Sequence, residues 1–460
     1  MSQPKNHRLS VFSLVMINVI AIDSLRNLPI NAEYGYAIIF FYILGAIGFL
    51  IPSALVTAEL ATHWSETGGP YVWVREAFGK KAGFFAIWLD WIYNVVWFPT
   101  ILSFIGATAA SLFRPDLVNN AYYMVAVIII CFLLATAFNL KGMKVSSRIS
   151  ELGAILGTML PMAVLVILGF AWLHGHTSRA ETTHFLPSLS DAHNMAFLVA
   201  VVFSLLGIEM SSIHAGEVKN PAKDYPRALI ISCVLIVLSL ILASVAIAIV
   251  VPPAHLSLVN GLNQAFALFF AHYHLSFLTP VFEVLIMLGG FAGMAAWVIG
   301  PTKALMISAQ DGSLPKQLAK KNPHGAPKNI LFLQAIIVII LSITFILSKS
   351  VNSAYWLLSA LTAQLAMIYY ACIFLAALKL RKSQPERKPE AYRIPGGKWG
   401  LSFVCGLGLL TITVALVIGF IPPENIPFGT NASYVITLLI GMAIFTLPAF
   451  VIYRFRQRAD

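Results

Sequence analysis

Apolar runs of about twenty residues, the length that crosses a hydrocarbon core of about 30 Å, follow one another along nearly the whole chain. Twelve can be drawn, at residues 10–31, 36–61, 82–111, 121–139, 150–173, 193–217, 228–251, 277–307, 329–348, 353–379, 399–420 and 433–454. They predict an all-α polytopic membrane protein of twelve transmembrane helices, built as one membrane-embedded domain over residues 1–460. Two of the runs are interrupted. The first, VFSLVMINVIAIDSLRNLPI, holds Asn18, Asp23, Ser24, Arg26 and Asn27 and closes on Pro29, while the sixth sets Glu209 beside Gly207 where an apolar helix would continue. An ionisable group inside a bilayer is costly and commonly functional. Broken membrane helices are tolerated only where protein or a water-filled cavity receives the freed backbone groups, an arrangement that transporters use to build substrate sites.

The two interrupted runs begin five helices apart, and an odd spacing reverses orientation. Residues 10–173 and 193–379 are therefore expected to form two inverted repeats, each opened by its broken helix, with accessory helices over 399–454. Such a pairing brings both breaks together near the bilayer midplane. Half-helix N-termini there offer N–H groups to an anion, and half-helix C-termini offer carbonyls to a cation. An amino acid carries both charges. A plainer alternative for the first run is that Asp23 and Arg26, three residues apart on one helical face, neutralise each other near the outer interface, where the arginine can snorkel.

Composition agrees with the membrane reading: 59% of residues are hydrophobic and 11% charged, with mean hydropathy +0.83, outside the range of soluble domains. The basic residues test the topology separately, because cytoplasmic loops carry the excess of Lys and Arg. With the N-terminus inside, 26 of the 30 fall in inner segments, leaving only Arg26, Arg114, Arg179 and Lys349. Both termini are thus expected in the cytoplasm, and the net charge of +11 follows from topology. No soluble basic patch interleaved with aromatics points to nucleic acid. Cys131, Cys233, Cys372 and Cys405 fall inside predicted helices without metal-ligand spacing and read as core packing. The N-terminal segment lacks a small-residue cleavage site, and the longest inner connection, RKSQPERKPEAYRIPGGK, reads as a charged linker and not a soluble domain. With no Walker A loop, HExxH, GxSxG or paired metal ligands, an enzyme is not expected, nor is a cofactor or a metal.

Four segments carry a resemblance: PSALVTAELATHWSETGGPYVWVREAFG after helix 2, GIEMSSIHAGEVKNPAKDYPRA at helix 6, AAWVIGPTKALMISAQDGSLP at helix 8 and YRIPGGK before helix 11. Through them the chain resembles the amino acid/polyamine/organocation transporter superfamily, and within it the glutamate:GABA antiporter family most closely. The resemblance implies a LeuT-like fold of ten core and two accessory helices, and proton-linked exchange of amino acids across a bacterial inner (plasma) membrane. It also implies roles by position: Phe203 as a bulky gate before the helix 6 break, Glu209 as the carboxylate that couples protonation, and Trp297 as the aromatic gate of helix 8. Aromatic gates bury large area with few rotatable bonds, and a carboxylate in a dry site can change protonation as substrate binds. The plainer alternatives are core aromatics and a structural hydrogen-bond hub.

The candidate binding residues are therefore Ile22, Asp23, Ser24 and Arg26 at the first break, Phe203, Gly207, Ile208, Glu209 and Met210 at the second, and Asn94 and Trp297 beside them. Glu217, with Lys219, is a candidate inner gate, although a solvated helix end ahead of Pro221 explains it equally. His214, one turn beyond Met210, could face the cavity of Glu209, although a lone satisfied histidine is the plainer reading. Asp90, Trp91 and Asn94 share a helix 3 face, and Glu59 and Glu283 are further intramembrane or interfacial acids. ETGGPYVWVREAFG suits a short helix under the inner mouth, and LVNGLNQAFALFF suits a lid over the outer vestibule. Seven of the eleven histidines, at 174, 176, 184, 193, 255, 272 and 274, lie in or beside outward connections, where an acid sensor is conceivable.

Departures from the family matter equally. The glycine-rich break of helix 1 is replaced by AIDSLRN, so Arg26 could take over carboxylate recognition with its bidentate fork. Helix 5 has no lysine to stand in for sodium, which leaves proton, sodium or pure exchange coupling open, and no long C-terminal plug follows helix 12. If Asp23, Glu209 and Glu217 are ionised, arginine, ornithine or a polyamine fits; with Glu209 protonated, Arg26 suits glutamate. A receptor that binds solute without moving it is the alternative from a different class. Small-molecule amino acid substrates, the lipid bilayer and protons are the expected partners, with the oligomeric state open.

Overall fold

The computed structural model describes residues 9–64, 68–141, 155–175, 198–384, 390–423 and 430–457, together with isolated positions between them. Among these residues the fold is all-helical apart from one bridge, in which the Leu9 N–H donates to the Glu217 carbonyl at 2.9 Å. Ten helices are long and apolar enough to cross a membrane, and a bent pair makes an eleventh. That pair is α1 (Val11–Ile22) and α2 (Leu28–Ala32), the two halves of the first expected span. After them come α3 (Ala37–His63), α4 (Pro70–Phe78), α5 (Lys80–Phe113), α6 (Ala121–Leu140) and α7 (Ile155–Leu173). The sixth expected span is present as the short helix α8 (Leu198–Ser204) and a 3-10 segment, Ile208–Glu217, and most of residues 191–197 lie outside the description. The chain continues as α9 (Pro221–Val250), α10 (Gly261–His272), α11 (Thr279–Gln310), α12 (Lys328–Leu347), α13 (Val351–Ser383), α14 (Gly397–Ile418) and α15 (Asn431–Gln457). The seventh span begins at Pro221, seven residues before the expected boundary, because proline at a first helical position starts a helix as readily as it ends the previous one.

Burial separates a core from a periphery. In α5 and α13, 78% and 72% of the most apolar stretch is buried, against 28% in α14 and 11% in α15. Large apolar side chains such as Phe403, Val417 and Leu447 are turned outward on these last two helices, as a lipid-facing surface requires. With no hydrophobic drive between helices in lipid, close approach through small residues supplies packing. Gly157 and Gly289 do this where α7 meets α11: a Cβ on Gly289 would stand 2.4 Å from the Gly157 carbonyl carbon.

The two segments expected as a short helix and a lid are both helical. α4 follows two glycines with positive φ, and a Cβ on Gly69 would stand 2.8 Å from Ser212 Oγ, so this turn abuts the inner half of the sixth span. Tyr71 donates to Asp311 Oδ2 at 2.6 Å and Arg75 pairs with the same oxygen at 3.0 Å, anchoring α4 to the end of α11. At the opposite end α10 buries Leu262, Phe266, Phe269 and Phe270 and holds Thr108 through the Asn263 amide at 3.0 Å. A Cβ on Gly261 would lie 2.9 Å from Pro29, so α10 closes over α2.

Candidate substrate site

The two breaks differ in how the backbone leaves the helix. After α1, Asp23 and Ser24 are extended, and the chain resumes with a bend of 43°. After α8, Gly207 adopts φ 119°, a left-handed conformation that favours glycine. A Cβ there would also meet Ile22 and Trp297, each at 3.4 Å. The break frees the Gly207 amide, which donates to the Tyr370 hydroxyl at 2.7 Å, and that hydroxyl in turn donates to Glu209 Oε2. A tyrosine of α13 thus satisfies the freed backbone and fixes the carboxylate in one step. The Tyr42 hydroxyl joins the two broken helices, accepting from the Asn31 amide at 2.7 Å and from Ser204 at 3.2 Å.

Between the breaks lies a partly open pocket, about 440 Å³ of empty space when its opening is included. Of the expected residues, Ile22, Ser24, Arg26, Asn94, Phe203 and Trp297 line it. Ala21, Asn27, Ser204 and Leu206 also line it, together with Tyr93, Trp97 and Thr362, which were not anticipated. The Trp97 and Trp297 rings meet edge to face at 6.2 Å and divide this space from a second cavity of about 470 Å³, lined by Asp23, Ser24, Arg26, Trp97 and Trp297 with Gly289, Gly290 and Gly293 of α11.

Arg26 is the one charged residue on the first wall. It is 1% exposed, and its Nη1 donates to Thr100 Oγ1 at 3.0 Å, Tyr355 Oη at 3.1 Å and Ser359 Oγ at 3.3 Å. The Phe203 ring lies 5.0 Å from the guanidinium carbon, within cation–π reach. Among the described residues no carboxylate pairs with it, and Nε has no hydrogen-bond partner. Asp23 turns away, accepting from Ser239 at 2.8 Å while Oδ1 stays bare. The plainer alternative of an Asp23–Arg26 pair does not form, since the extended residues between them send the side chains to different neighbours.

Other expectations move. Gly207, Ile208, Glu209, Met210 and Glu217 line neither cavity. Ile208 is fully buried, and Met210 packs toward Gly300. Glu217 is exposed and pairs with His214 at 2.8 Å, so that histidine does not face Glu209. Trp91 donates to Gln334 at 2.8 Å and leaves the Asn94 face. His176, His184 and His193 lie outside the described residues, and His272 packs on Trp172 at 4.9 Å.

At the mouth opposite the basic loops, Glu33 follows α2, and burial pushes its carboxyl from 4.5 up to about 7. A raised folded-state value means the folded chain binds the proton more tightly than the unfolded one, so stability falls as pH climbs from about 4.5 through about 7. Glu33→Gln is expected to gain in melting temperature over the parent at about pH 8 and to lose that gain at about pH 4. An equal difference at both values would contradict the burial argument.

The profile of the amino acid permease family matches residues 8–445. The chain belongs to that family. An uncharacterized transporter of Legionella pneumophila subsp. pneumophila is 49% identical over 454 residues, covering 98% of this chain and 97% of its own. A glutamate/gamma-aminobutyrate antiporter of Lactococcus lactis subsp. lactis is 27% identical over 460 residues, with 98% and 91% covered. A probable agmatine/putrescine antiporter of the same organism is 24% identical over 451 residues, with 95% and 94% covered. All three are named as transporters, none as an enzyme, and this permease is accordingly a multi-pass membrane protein for small-molecule substrates.

Proposed function

We propose that this permease is a secondary-active amino acid antiporter of glutamate/GABA type, running proton-linked exchange by alternating access. Arg26 carries the reading. A guanidinium 1% exposed on an aromatic wall, with no carboxylate partner among the described residues, is costly, and a substrate carboxylate would supply the missing charge and the fork geometry. Asp23, which lines the adjoining cavity and has one oxygen without a partner, would receive an ammonium group. A dipolar substrate would then lie across the Trp97–Trp297 pair, with Phe203 and Trp297 as gates. The paired breaks support the inverted-repeat arrangement, and the basic loops support cytoplasmic termini in an inner membrane. A cationic amino acid or polyamine exchanger is the second reading, favoured by Asp23 and by the agmatine/putrescine relative, but Arg26 would repel a dication.

Proteoliposomes loaded separately with glutamate, GABA, glutamine, arginine, ornithine or buffer test the proposal through entry of each labelled compound at acidic and neutral pH. Uptake confined to glutamate- or GABA-loaded vesicles is expected. Uptake confined to arginine- or ornithine-loaded vesicles would transfer the assignment to the cationic class, and binding without uptake in any batch would defeat transport.

A further inference from the structure

The Glu209 carboxylate has a counterpart on another helix. Asp90, on α5, is 5% exposed and Glu209 is 1% exposed. Asp90 Oδ1 and Glu209 Oε1 both lack a hydrogen-bond partner, and the two carboxylates lie within electrostatic reach of each other. A run of tyrosines links them. Tyr370 donates to Glu209, its ring lies 5.4 Å from that of Tyr369, and the Tyr369 ring lies 5.8 Å from that of Tyr93. Tyr93 is one helical turn from Asp90, its buried hydroxyl lies against that carboxylate, and it also lines the Arg26 cavity. From α9, Tyr225 closes the cluster through Ser211 at 3.0 Å. Among the described residues no lysine, arginine or histidine faces either carboxylate.

We propose that Asp90 and Glu209 form one proton-carrying site, holding a single proton between them across the Tyr93–Tyr369–Tyr370 cluster beside the substrate cavity. Two buried carboxylates, each with one unpartnered oxygen and with no cation beside them among the described residues, cannot both stay ionised, so the pair titrates as a unit. Loading forms one carboxyl O–H bond with a proton taken from water on one side; discharge breaks that bond and returns the proton to water on the other. No other bond changes. Tyr93, facing both the pair and the cavity, is placed to pass substrate occupancy to the proton. This inference rests on the exchange reading for its role, while the pair itself can be tested apart from transport.

The full chain in proteoliposomes, as Asp90→Asn, Glu209→Gln and the double variant, is followed by a trapped pH dye and by labelled-substrate exchange. Each single variant is expected to lose proton movement by about tenfold or more, with the loss falling on turnover more than on substrate affinity, and to flatten the pH profile. The double variant is expected to be no worse than either single, as for groups acting together. Proton movement and a pH profile in Asp90→Asn that match the parent would overturn the pair. If the parent exchanges nothing, the reading in the preceding section fails, and the infrared carboxylic C=O band decides the pair alone. A band whose pH titration moves in both single variants supports it; an unmoved titration in Asp90→Asn overturns it.

Discussion

Arg26→Gln is expected to lower exchange at limiting substrate by about a hundred- to a thousandfold, the effect of about 3–4 kcal/mol lost from a buried charge-to-charge contact. The guanidinium is enclosed by Thr100, Tyr355, Ser359 and the Phe203 ring, and none of these neutralises it. Its charge is therefore a stability cost to the empty protein that substrate removes. Glutamine keeps some of the hydrogen bonds and discards the cost, so the apo melting temperature is expected to hold or rise while transport collapses. Arg26→Lys keeps the charge but has no planar fork to share between a carboxylate and the α13 hydroxyls, and is expected to recover less than about tenfold of the loss. Uptake and thermal unfolding measured on the same preparations separate this role from a structural one. Exchange by Arg26→Gln within about threefold of the parent would remove Arg26 from substrate binding.

The membrane architecture was legible because bilayer thickness fixes the length of an apolar run, and the breaks were legible because Asp23, Arg26, Gly207 and Glu209 interrupt such runs locally. The partners of these residues were not. Arg26 meets Thr100, Tyr355 and Ser359 at separations of 74, 329 and 333 residues, and a hydroxyl on an apolar helix gives no sign in sequence of which distant charge it faces. Tyr93 and Trp97 look like ordinary core aromatics until the fold turns them into the cavity. Another kind of miss came from periodicity. His214 was placed by an α-helical turn from Met210, but the inner half of the sixth span is 3-10, with three residues per turn, so His214 and Glu217 come into line and pair with each other. The same local rule misled the reading of Asp23 and Arg26, which share a face only if the chain between them is helical.

The second large effect is expected at Glu59, near the inner end of α3. Its carboxylate takes the fork of Arg381, with Nε to Oε1 at 2.6 Å and Nη2 on Oε2, and accepts the Ile394 N–H at 2.9 Å. Arg381 Nη1 also donates to the Gly397 carbonyl at 2.8 Å. These bonds give the YRIPGGK segment a physical reading: it folds back from α13 to lock onto α3. Its tight path is visible at Gly400, where a Cβ would stand 1.8 Å from the Pro395 carbonyl oxygen. With side chains 6% and 11% exposed, removing one partner leaves the other charge buried and uncompensated, at a cost of about 3–5 kcal/mol. Glu59→Gln is therefore expected to lower the melting temperature sharply and to expose the connection after α13 to protease. Because the pair's mutual attraction is largely offset by the desolvation of both charges, Glu59→Leu combined with Arg381→Met is expected to recover most of the stability lost by either single change. Melting of the four proteins in one detergent checks this. A double variant as unstable as the two single losses added together would mean that the residues contribute independently, and that the lock does not depend on the ion pair.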